Sequence, residues 1–548
     1  MIPPQDLPDS FPKSRCKNTC KALRKNGLLK LGFILIFIVL FFFMGYHKLG
    51  STGPTSIHAW RQSDSYGMTL AYYHENHSLF EPHVLYVGEN GHRQAVSEFP
   101  VLYYLTAKIW KTTGIVPGIL RMINFLLLLL GLYHLMKLSH DFLDDRLWAI
   151  FCPLLLFSSP LLGYYSYNFI PDIPALGLAL TGLYYLYRFV KANRSPDLLI
   201  GTLAYTLAVL LKVTAIFSLL ALLTTLTVLH FREIRIYLAT VVKLCLSAAL
   251  ILGTYIGWNR YAAAYNQEHI EGFFLQSALP IWEINREKML EIFQPLSRDI
   301  LPKFFSPLLL VFLTIVFLLI MVKKNRGNRH LRVFTLLVMT GFFAFILLFY
   351  QGLNVHDYFL INMLVIIPAI ALSGLSLLKK QYPHVYQSSK FRIIAVIILI
   401  LLLNNNMLFT RSHYNPHQPM VKYNLPLSKY MRGYWNYFYW MRELQDFQYE
   451  GISDYVRSIG IRYNDKVISL GDYSPNRTLC WMQVQGFTDY WYDYYPLPER
   501  MEKLIKLGAK YLVVNKNDQP DSLALSPYTG NLIGRYNNIR IYLLPNLP

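Results

Sequence analysis

Long apolar runs recur along the first 410 residues, and each has the length that a membrane-spanning helix requires. A run of about 18 or more apolar residues crosses the roughly 30 Å of hydrocarbon in a bilayer. The composition agrees, since only 15% of the 548 residues are charged and 54% are hydrophobic. A soluble globular protein carries about a quarter charged residues. We therefore predict a polytopic membrane protein and exclude a soluble enzyme.

The apolar runs predict eleven transmembrane helices. The first is a retained helix rather than a signal peptide, because it follows a long basic lead and has no small-residue cleavage site. The run 198–230 is too long for one span and short for two, so Lys212 near its middle predicts a tight hairpin. The predicted helices lie at 28–46, 118–138, 147–165, 173–190, 198–211, 212–230, 236–257, 304–322, 332–350, 359–378 and 391–409.

Lysine and arginine residues in the loops predict the orientation, because short loops rich in them stay in the cytoplasm. Residues 1–27 carry six, and alternate loops continue the excess, whereas loops 166–172 and 351–358 carry none. We predict a protein of the plasma (inner) membrane with a cytoplasmic N-terminus and an extracytoplasmic C-terminus. Part of the net charge of +20 then reflects topology, and nucleic acid is not an expected partner.

The predicted spans divide the chain into three parts. In the last part, strands alternate with an amphipathic helix, which predicts a small α/β domain. Its strands are expected at 466–470, 510–514 and 539–544, and its helix at 497–507. The parts are a basic cytoplasmic tail (1–27), a transmembrane domain (28–410) with two outer loops, the first loop (47–117) and a second (258–303), and an extracytoplasmic C-terminal domain (411–548).

The first loop opens with the polar and aromatic string His58-Ala59-Trp60-Arg61-Gln62-Ser63-Asp64. Ionisable groups close to hydrocarbon are costly unless they are paired. Arg61 and Asp64 lie three positions apart, so a local salt bridge on one helical face is one interpretation. Further along, Glu98 precedes Pro100, where a carboxylate suits the first turn of a helix. Both features therefore have a structural interpretation as well as a functional one.

Other outer turns carry Asp172, Lys212 and the string His356-Asp357-Tyr358. Asp172 is an ordinary helix N-cap candidate, and a lysine such as Lys212 can extend to the membrane interface. Taken together, a lysine, an arginine, a histidine and several carboxylates at one membrane surface predict a site for a phosphate-bearing lipid and a nucleophile.

These strings carry a resemblance to a known group of enzymes. His58 to Asp64 resembles the first-loop motif of bacterial glycosyltransferases related to the protein O-mannosyltransferases and to the lipid A aminoarabinose transferase. Glu98-Phe99-Pro100 and His356-Asp357-Tyr358 resemble two further motifs of that group, and the C-terminal strings 472–476 and 508–512 are also similar to such proteins. The resemblance implies a mainly α GT-C fold and inverting transfer of a sugar from a polyprenyl-phosphate donor. The implied acceptor is a hydroxyl or phosphate of a protein, of lipid A or of another glycan.

The resemblance also implies roles for single residues. Asp64 matches the acidic residue that acts on the acceptor as a general base or orients it. Fixed cations stabilise a leaving phosphate, and Arg61, Lys212 and His356 are the candidates. Some relatives carry Lys-Pro-Pro where this chain has Glu98-Phe99-Pro100, and the resemblance implies that their lysine approaches the donor phosphate. A carboxylate cannot take that role, so Glu98 is assigned instead to binding the donor sugar. The supporting residues are His58, Gln62, Asp172, Asp357 and Tyr358.

We expect no cofactor and assign no metal ligands. A divalent cation held by Glu98 and Asp64 stays open as an alternative, because hard cations prefer carboxylate oxygens. The histidines of the first loop are expected to be interfacial polar residues, although the spacing of His74 and His77 also suits a transition metal. These histidines are His74, His77, His83 and His92.

Two further hypotheses come from other functional classes. A transporter or flippase of lipid-linked sugars needs ionisable residues near the membrane midplane and usually has repeats, neither of which is evident. A non-enzymatic scaffold would lack a converging polar site. The aromatic run 490–495 suits stacking on sugar rings and equally an aromatic belt near lipid headgroups, so it is left unassigned.

Overall fold

The computed structural model describes residues 13–230, 234–274, 278–323, 327–414, 442–490, 495–516 and 524–545. Some residues used above lie outside these ranges. They are residues 1–12 of the predicted cytoplasmic tail, 231–233 and 324–326 of two basic loops, 275–277 of the second outer loop, and 415–441, 491–494, 517–523 and 546–548 of the predicted C-terminal domain.

Long apolar helices form most of the described chain. Seven of them are long and apolar enough to cross a membrane, and there are up to nine spans if each of two bent pairs counts as one. The protein is thus a mainly α-helical integral membrane protein, as predicted. The predicted count of eleven spans is not confirmed, because the helices Ser195–Leu211 and Val213–Leu229 are apolar but shorter than the other spans.

The helices of the membrane part and its loops are as follows. They are α1 (Lys13–Met44), α2 (Ala59–Glu75), α3 (Val101–Thr113), α4 (Gly118–Leu143), α5 (Arg146–Phe157), α6 (Pro160–Ser166), α7 (Asp172–Ala192), α8 (Ser195–Leu211), α9 (Ile216–His230), α10 (Ile234–Glu268), α11 (Arg286–Pro295), α12 (Leu301–Phe304), α13 (Pro307–Val322), α14 (Arg329–Leu348), α15 (Ile366–Gln381), α16 (Pro383–Gln387) and α17 (Ser389–Tyr414).

Three predicted helices differ in shape from the structure. The predicted helix 359–378 begins as a 3-10 segment, Asp357–Val365, which continues into α15. The predicted helix 147–165 is a pair, α5 and α6, bent by 81°. Pro160 has no amide proton to continue the first helix, and the Ser159 hydroxyl caps the second by accepting from the Leu162 amide at 3.4 Å. The helix predicted to end at 257 continues as α10 to Glu268, because its last turns pack on the first loop. There the Asn266 side chain exchanges two 2.8 Å hydrogen bonds with the Val96 backbone.

The C-terminal residues form the predicted α/β unit around a five-stranded mixed sheet in the order β2-β1-β3-β5-β4. β1 pairs in parallel with β2 and β3, and β5 pairs antiparallel with β3 and β4. The predicted strands and helix are confirmed, while β2, β4 and two helices were missed. The elements are β1 (Lys466–Leu470), β2 (Gln485–Thr488), β3 (Ala509–Asn515), β4 (Leu532–Tyr536) and β5 (Ile539–Leu543), with helices Ile452–Ser458, Arg477–Met482 and Leu497–Lys506.

The first loop extends this sheet by pairing with β2. The Val87 amide donates to the Gly486 carbonyl at 2.8 Å, and the Gly486 amide donates to the Leu85 carbonyl at 3.1 Å. Gly486 is required here, because a Cβ at this position would lie 2.1 Å from the Val467 carbonyl oxygen of β1. The pairing brings the C-terminal unit against α2, where Cys480 donates to the Ser63 carbonyl at 3.2 Å.

Candidate functional site

Helix α2 carries the first polar string, and most of it is buried between the membrane helices and the C-terminal unit. It follows His58, whose backbone adopts the left-handed conformation with φ of 51°. Gln62 is fully buried and Asp64 is only 5% exposed. Buried polar groups of this kind need hydrogen-bond partners, so the partners define the site.

Asp64 accepts a hydrogen bond of 3.0 Å from the side-chain amide of Asn476. The Asn476 oxygen accepts from the backbone amides of Leu85 and Tyr86 at 3.1 and 3.0 Å, so its amino group must face Asp64. Burial outweighs the lowering effects of Arg61 and the Asn476 hydrogen bond, and the pKa of Asp64 is raised to about 7. The Asp64 carboxyl group therefore exchanges its proton near neutral pH.

Arg61 pairs with Glu98 rather than with Asp64. Its guanidinium donates to Glu98 Oε1 at 2.6 Å and to the Ser65 hydroxyl at 3.2 Å. The Tyr103 hydroxyl donates to the same Glu98 oxygen. Burial favours neutral Glu98, but the charge of Arg61 and these hydrogen bonds lower its pKa below the usual value. The interpretation of Arg61 and Asp64 as a local salt bridge is therefore wrong.

The two helix-cap interpretations are also wrong. α3 begins after Pro100, and no side-chain hydrogen bond caps it, because Glu98 is directed to Arg61 instead. α7 begins at Asp172 itself with Pro171 at the N-cap position. Both carboxylates face other side chains, so helix capping does not explain them.

Asp172 lies against Lys212, whose Nζ is 3.2 Å from Asp172 Oδ1. Lys212 occupies the break between α8 and a 3-10 turn that leads into α9, so the predicted break of the long apolar run is present. Its ammonium group also lies 4.7 and 5.2 Å from the ring centroids of Phe359 and Tyr358. These contacts hold the Lys212 ammonium group between a buried carboxylate and two aromatic rings.

Asp357 is 1% exposed and is surrounded by donors. His58 Nε2 lies 3.1 Å from Asp357 Oδ1, and the Tyr165 hydroxyl donates to the same oxygen at 2.7 Å. Lys303 Nζ lies 3.9 Å from the other oxygen. Asp357 and His58 thereby tie the start of α2 to the segment before α15.

His356 does not provide a positive charge near neutral pH. Burial, together with the nearby positive charge of Lys212, lowers its pKa to about 4. Its Nδ1 is 3.1 Å from the Tyr358 hydroxyl, and the Tyr358 ring packs edge-on against His58 at 5.0 Å. His356 is therefore a neutral hydrogen-bonding group, and the candidate cations are reduced to Arg61 and Lys212.

Gln62 braces the backbone that precedes α2. Its amino group donates to the carbonyl oxygens of Thr55 and Ile57 at 2.8 and 2.7 Å. It also donates to the Tyr164 hydroxyl at 3.1 Å. Through these hydrogen bonds, Gln62 holds the turn that carries His58 in position.

The predicted residues converge on one cluster. The charge of Arg61 acts on the pKa values of Asp64, Glu98 and His356, which shows that they lie within electrostatic reach of one another. Glu98, Asp172 and Asp357 each lie beside a cationic or imidazole nitrogen. Within the described chain, the hydrogen-bond partner of Asp64 is instead a neutral amide.

Sequence reasoning missed four residues of this cluster. Asn476 belongs to the C-terminal string 472–476 that resembles the same enzyme group, and Tyr103 follows Glu98 by five positions. Those features were the available signals for these two residues. Tyr165 and Lys303 contact Asp357 from distant helices, and no local pattern marks them.

Comparisons with known proteins agree with this architecture. Residues 97–256 match the family described as dolichyl-phosphate-mannose-protein mannosyltransferase. A search of curated proteins finds no match. Two crystal structures of ArnT from Cupriavidus metallidurans are similar, one apo and one bound to undecaprenyl phosphate. Their TM-scores are 0.56 and 0.58 at 13% and 14% identity, and the matches cover 95% and 94% of this chain and 99% and 98% of theirs.

These matches extend over nearly the whole of both chains, so they include the C-terminal unit as well as the membrane helices. The chain has the GT-C fold and resembles the ArnT and protein mannosyltransferase group of membrane glycosyltransferases.

Proposed function

We propose that this protein is an inverting glycosyltransferase that moves a sugar from a polyprenyl-phosphate donor to a hydroxyl or phosphate acceptor. The observation that carries the proposal is the contrast among four buried carboxyl groups. Three lie beside a cationic or imidazole nitrogen, whereas Asp64 bonds to the neutral Asn476 amide and has a pKa of about 7. The GT-C fold and the undecaprenyl phosphate bound by ArnT support this donor class.

Asp64 acts as the general base in this proposal. The acceptor O–H gives its proton to the Asp64 carboxylate while its oxygen attacks the anomeric carbon. The bond from that carbon to the phosphate oxygen breaks, the phosphate leaves with the electron pair, and the configuration inverts. A base whose pKa is close to the working pH is well matched to this proton transfer.

Arg61 and Lys212 stabilise the leaving phosphate. Negative charge develops on the phosphate oxygen as the bond breaks, and fixed cations in a site shielded from water stabilise it strongly. Both cations are already held by buried carboxylates, Glu98 and Asp172, so they need little reorganisation. Phosphate is a good leaving group, and the proposed chemistry requires neither a separate general acid nor a metal ion.

The C-terminal unit contributes to the site by holding Asn476. Because two backbone amides of the first loop fix the Asn476 oxygen, its amino group orients the Asp64 carboxylate. The excess of lysine and arginine in alternate loops supports an orientation in the plasma membrane in which this face lies outside the cell and the N-terminus lies in the cytoplasm. An acceptor protein, lipid or glycan would then meet the donor at the outer membrane surface.

The test uses the purified full-length protein in lipid nanodiscs with a panel of radiolabelled polyprenyl-phosphate sugars and a membrane extract as acceptor. Lipid-phosphate release and sugar transfer are measured for the wild type, for Asp64→Asn and for Asp454→Asn, which changes an exposed carboxyl group elsewhere. The proposal expects transfer by the wild type and Asp454→Asn and its loss in a folded Asp64→Asn. Binding of the lipid without cleavage of the sugar-phosphate bond, for every acceptor supplied, would favour a transporter.

A further inference from the structure

The C-terminal end of α2 carries a second cluster of polar side chains. Glu75 is the last residue of the helix, and the side chains of His77 and His83 return to it. His77 Nε2 and His83 Nδ1 lie 2.9 and 2.8 Å from the same oxygen, Glu75 Oε2. One ligand atom of each residue lies within 4.8 Å of the other two. Two imidazoles and a carboxylate thus face one point.

The other carboxylate oxygen of Glu75 is held by hydrogen bonds from two further side chains. Glu75 Oε1 accepts hydrogen bonds from Arg93 and from the Tyr463 hydroxyl. Arg93 is itself fixed by a 3.1 Å hydrogen bond to the Val84 carbonyl. Such outer hydrogen bonds orient carboxylate ligands in metal sites. The carboxylate therefore keeps Oε2 directed toward the two imidazoles.

We propose that Glu75, His77 and His83 bind a divalent transition-metal ion, with Zn²⁺ the best match, and that solvent supplies the fourth ligand. Two histidines and one carboxylate are a common ligand set for zinc, at about 2.0–2.2 Å from each donor atom. Donor atoms in such a tetrahedron are about 3.3 Å apart, so the two distances from Glu75 Oε2 to the imidazole nitrogens, 2.9 and 2.8 Å, have to lengthen by only about half an ångström. His77 is 31% exposed, which gives the ion a path from solvent.

The ligand set differs from the one that sequence spacing suggested. The ring of His74 stacks on Tyr463 at 4.0 Å, and His92 packs against His269 at 5.3 Å. His74 therefore cannot serve as a ligand together with His77, because its side chain is directed to the C-terminal unit. Glu75, which the spacing of histidines alone could not reveal, takes its place.

The proposed ion lies at a junction rather than at the reacting atoms. Tyr463 joins the cluster to the C-terminal unit, and Leu85 and Tyr86 follow His83 closely in the chain. Those two backbone amides hold Asn476, the partner of Asp64. The ion would stiffen the loop that positions the base, without taking part in sugar transfer. The site does not depend on the proposed function.

The test measures metal content directly in the full-length protein. After treatment with a chelator and reloading with Zn²⁺, the wild type is expected to retain one equivalent per chain by elemental analysis and to unfold at a higher temperature. Reloading with Co²⁺ should give the visible absorption of a tetrahedral site. The variant His77→Gln/His83→Gln should lose at least tenfold in affinity, and His92→Gln, which changes an exposed histidine of the same loop, should behave as the wild type.

Two results would overturn the metal site. One is a wild type that takes up well under one equivalent. The other is a double variant that keeps the affinity and the Co²⁺ spectrum of the wild type. If the double variant does not fold, the single His77→Gln variant at the more exposed position replaces it, and unchanged affinity there counts equally against the site.

Discussion

Two carboxyl groups on the same helix behave in opposite ways. Asp64 and Glu75 lie eleven positions apart on α2, which is about 16 Å along its axis. Burial raises the pKa of Asp64 to about 7, and its hydrogen-bond partner is a neutral amide. Glu75 lies among two histidines, an arginine and a tyrosine, which lower its pKa far below the usual value in spite of burial. The partners decide that one group exchanges protons while the other stays anionic and attracts cations.

The largest expected effect is on chemistry at Asp64. Asp64→Asn removes the proton acceptor, and a positioned base contributes about 10²- to 10⁴-fold to a rate. Its folding stability should be unchanged or raised, because burial already disfavours the Asp64 charge. Transfer rates and melting temperature measured on the same preparation check this. A large loss of stability in Asp64→Asn would show that the carboxylate has a structural role instead.

Glu75→Gln should show the reverse pattern, with its main effect on stability. Removing one member of a largely buried ion pair costs about 3 kcal/mol, because Arg93 loses its counter-charge. The pKa of folded Glu75 lies below its ordinary value of 4.5, so the stabilisation is present above that pH and is lost as the pH falls below it. Unfolding of both proteins as a function of pH measures the difference. A difference that persists undiminished in acid would contradict the assignment.

The third prediction concerns Lys212, one of the two cations proposed to stabilise the leaving phosphate. Lys212→Gln should lower kcat/KM for the donor by about ten- to a hundredfold, since it removes one fixed charge from the leaving phosphate. Lys212→Arg keeps the charge and the pairing with Asp172, and should retain more of the activity. Equal losses in the two variants would argue against an electrostatic role.

The smallest effect is expected at Asn476. Its hydrogen bond lowers the pKa of Asp64, so Asn476→Ala should remove about 1 kcal/mol of stabilisation from the charged carboxylate and raise that pKa. The acid limb of the pH–rate profile then moves to higher pH, while the rate at alkaline pH is largely retained. Asn476→Gln keeps an amide and provides the comparison. An unchanged pH–rate profile would show that Asn476 does not influence the pKa of Asp64.

The fold was predictable from the sequence because its signals are local. Apolar length gave the membrane helices, and Pro160 is a local reason for the bend that the prediction missed. In the C-terminal unit, alternation of strands and helix predicted β1, β3 and β5. The exposed strand β4 and the short strand β2 were missed, because neither is a long apolar run.

The partners within the site were much less predictable. The motif residues Arg61, Asp64, Glu98 and Asp357 were found, but their pairing was not, because Arg61 reaches Glu98 across 37 positions and Asn476 reaches Asp64 across 412. Whether a histidine is charged also depends on burial, which excluded His356 from the cations. The spacing of residues in the sequence identifies candidate site residues, whereas tertiary packing determines whether each of them is protonated.

The central claim is that Asp64 is the base of sugar transfer, and the pH dependence of the reaction tests it most directly. The measurement is kcat/KM for transfer by the wild type from a polyprenyl-phosphate sugar, over a pH range in which the protein stays folded. A base must be deprotonated to act, so the rate should rise with pH and reach half its maximum near pH 7. A profile that is flat through neutral pH, or that rises only near the ordinary carboxyl value of 3.8, would contradict the account.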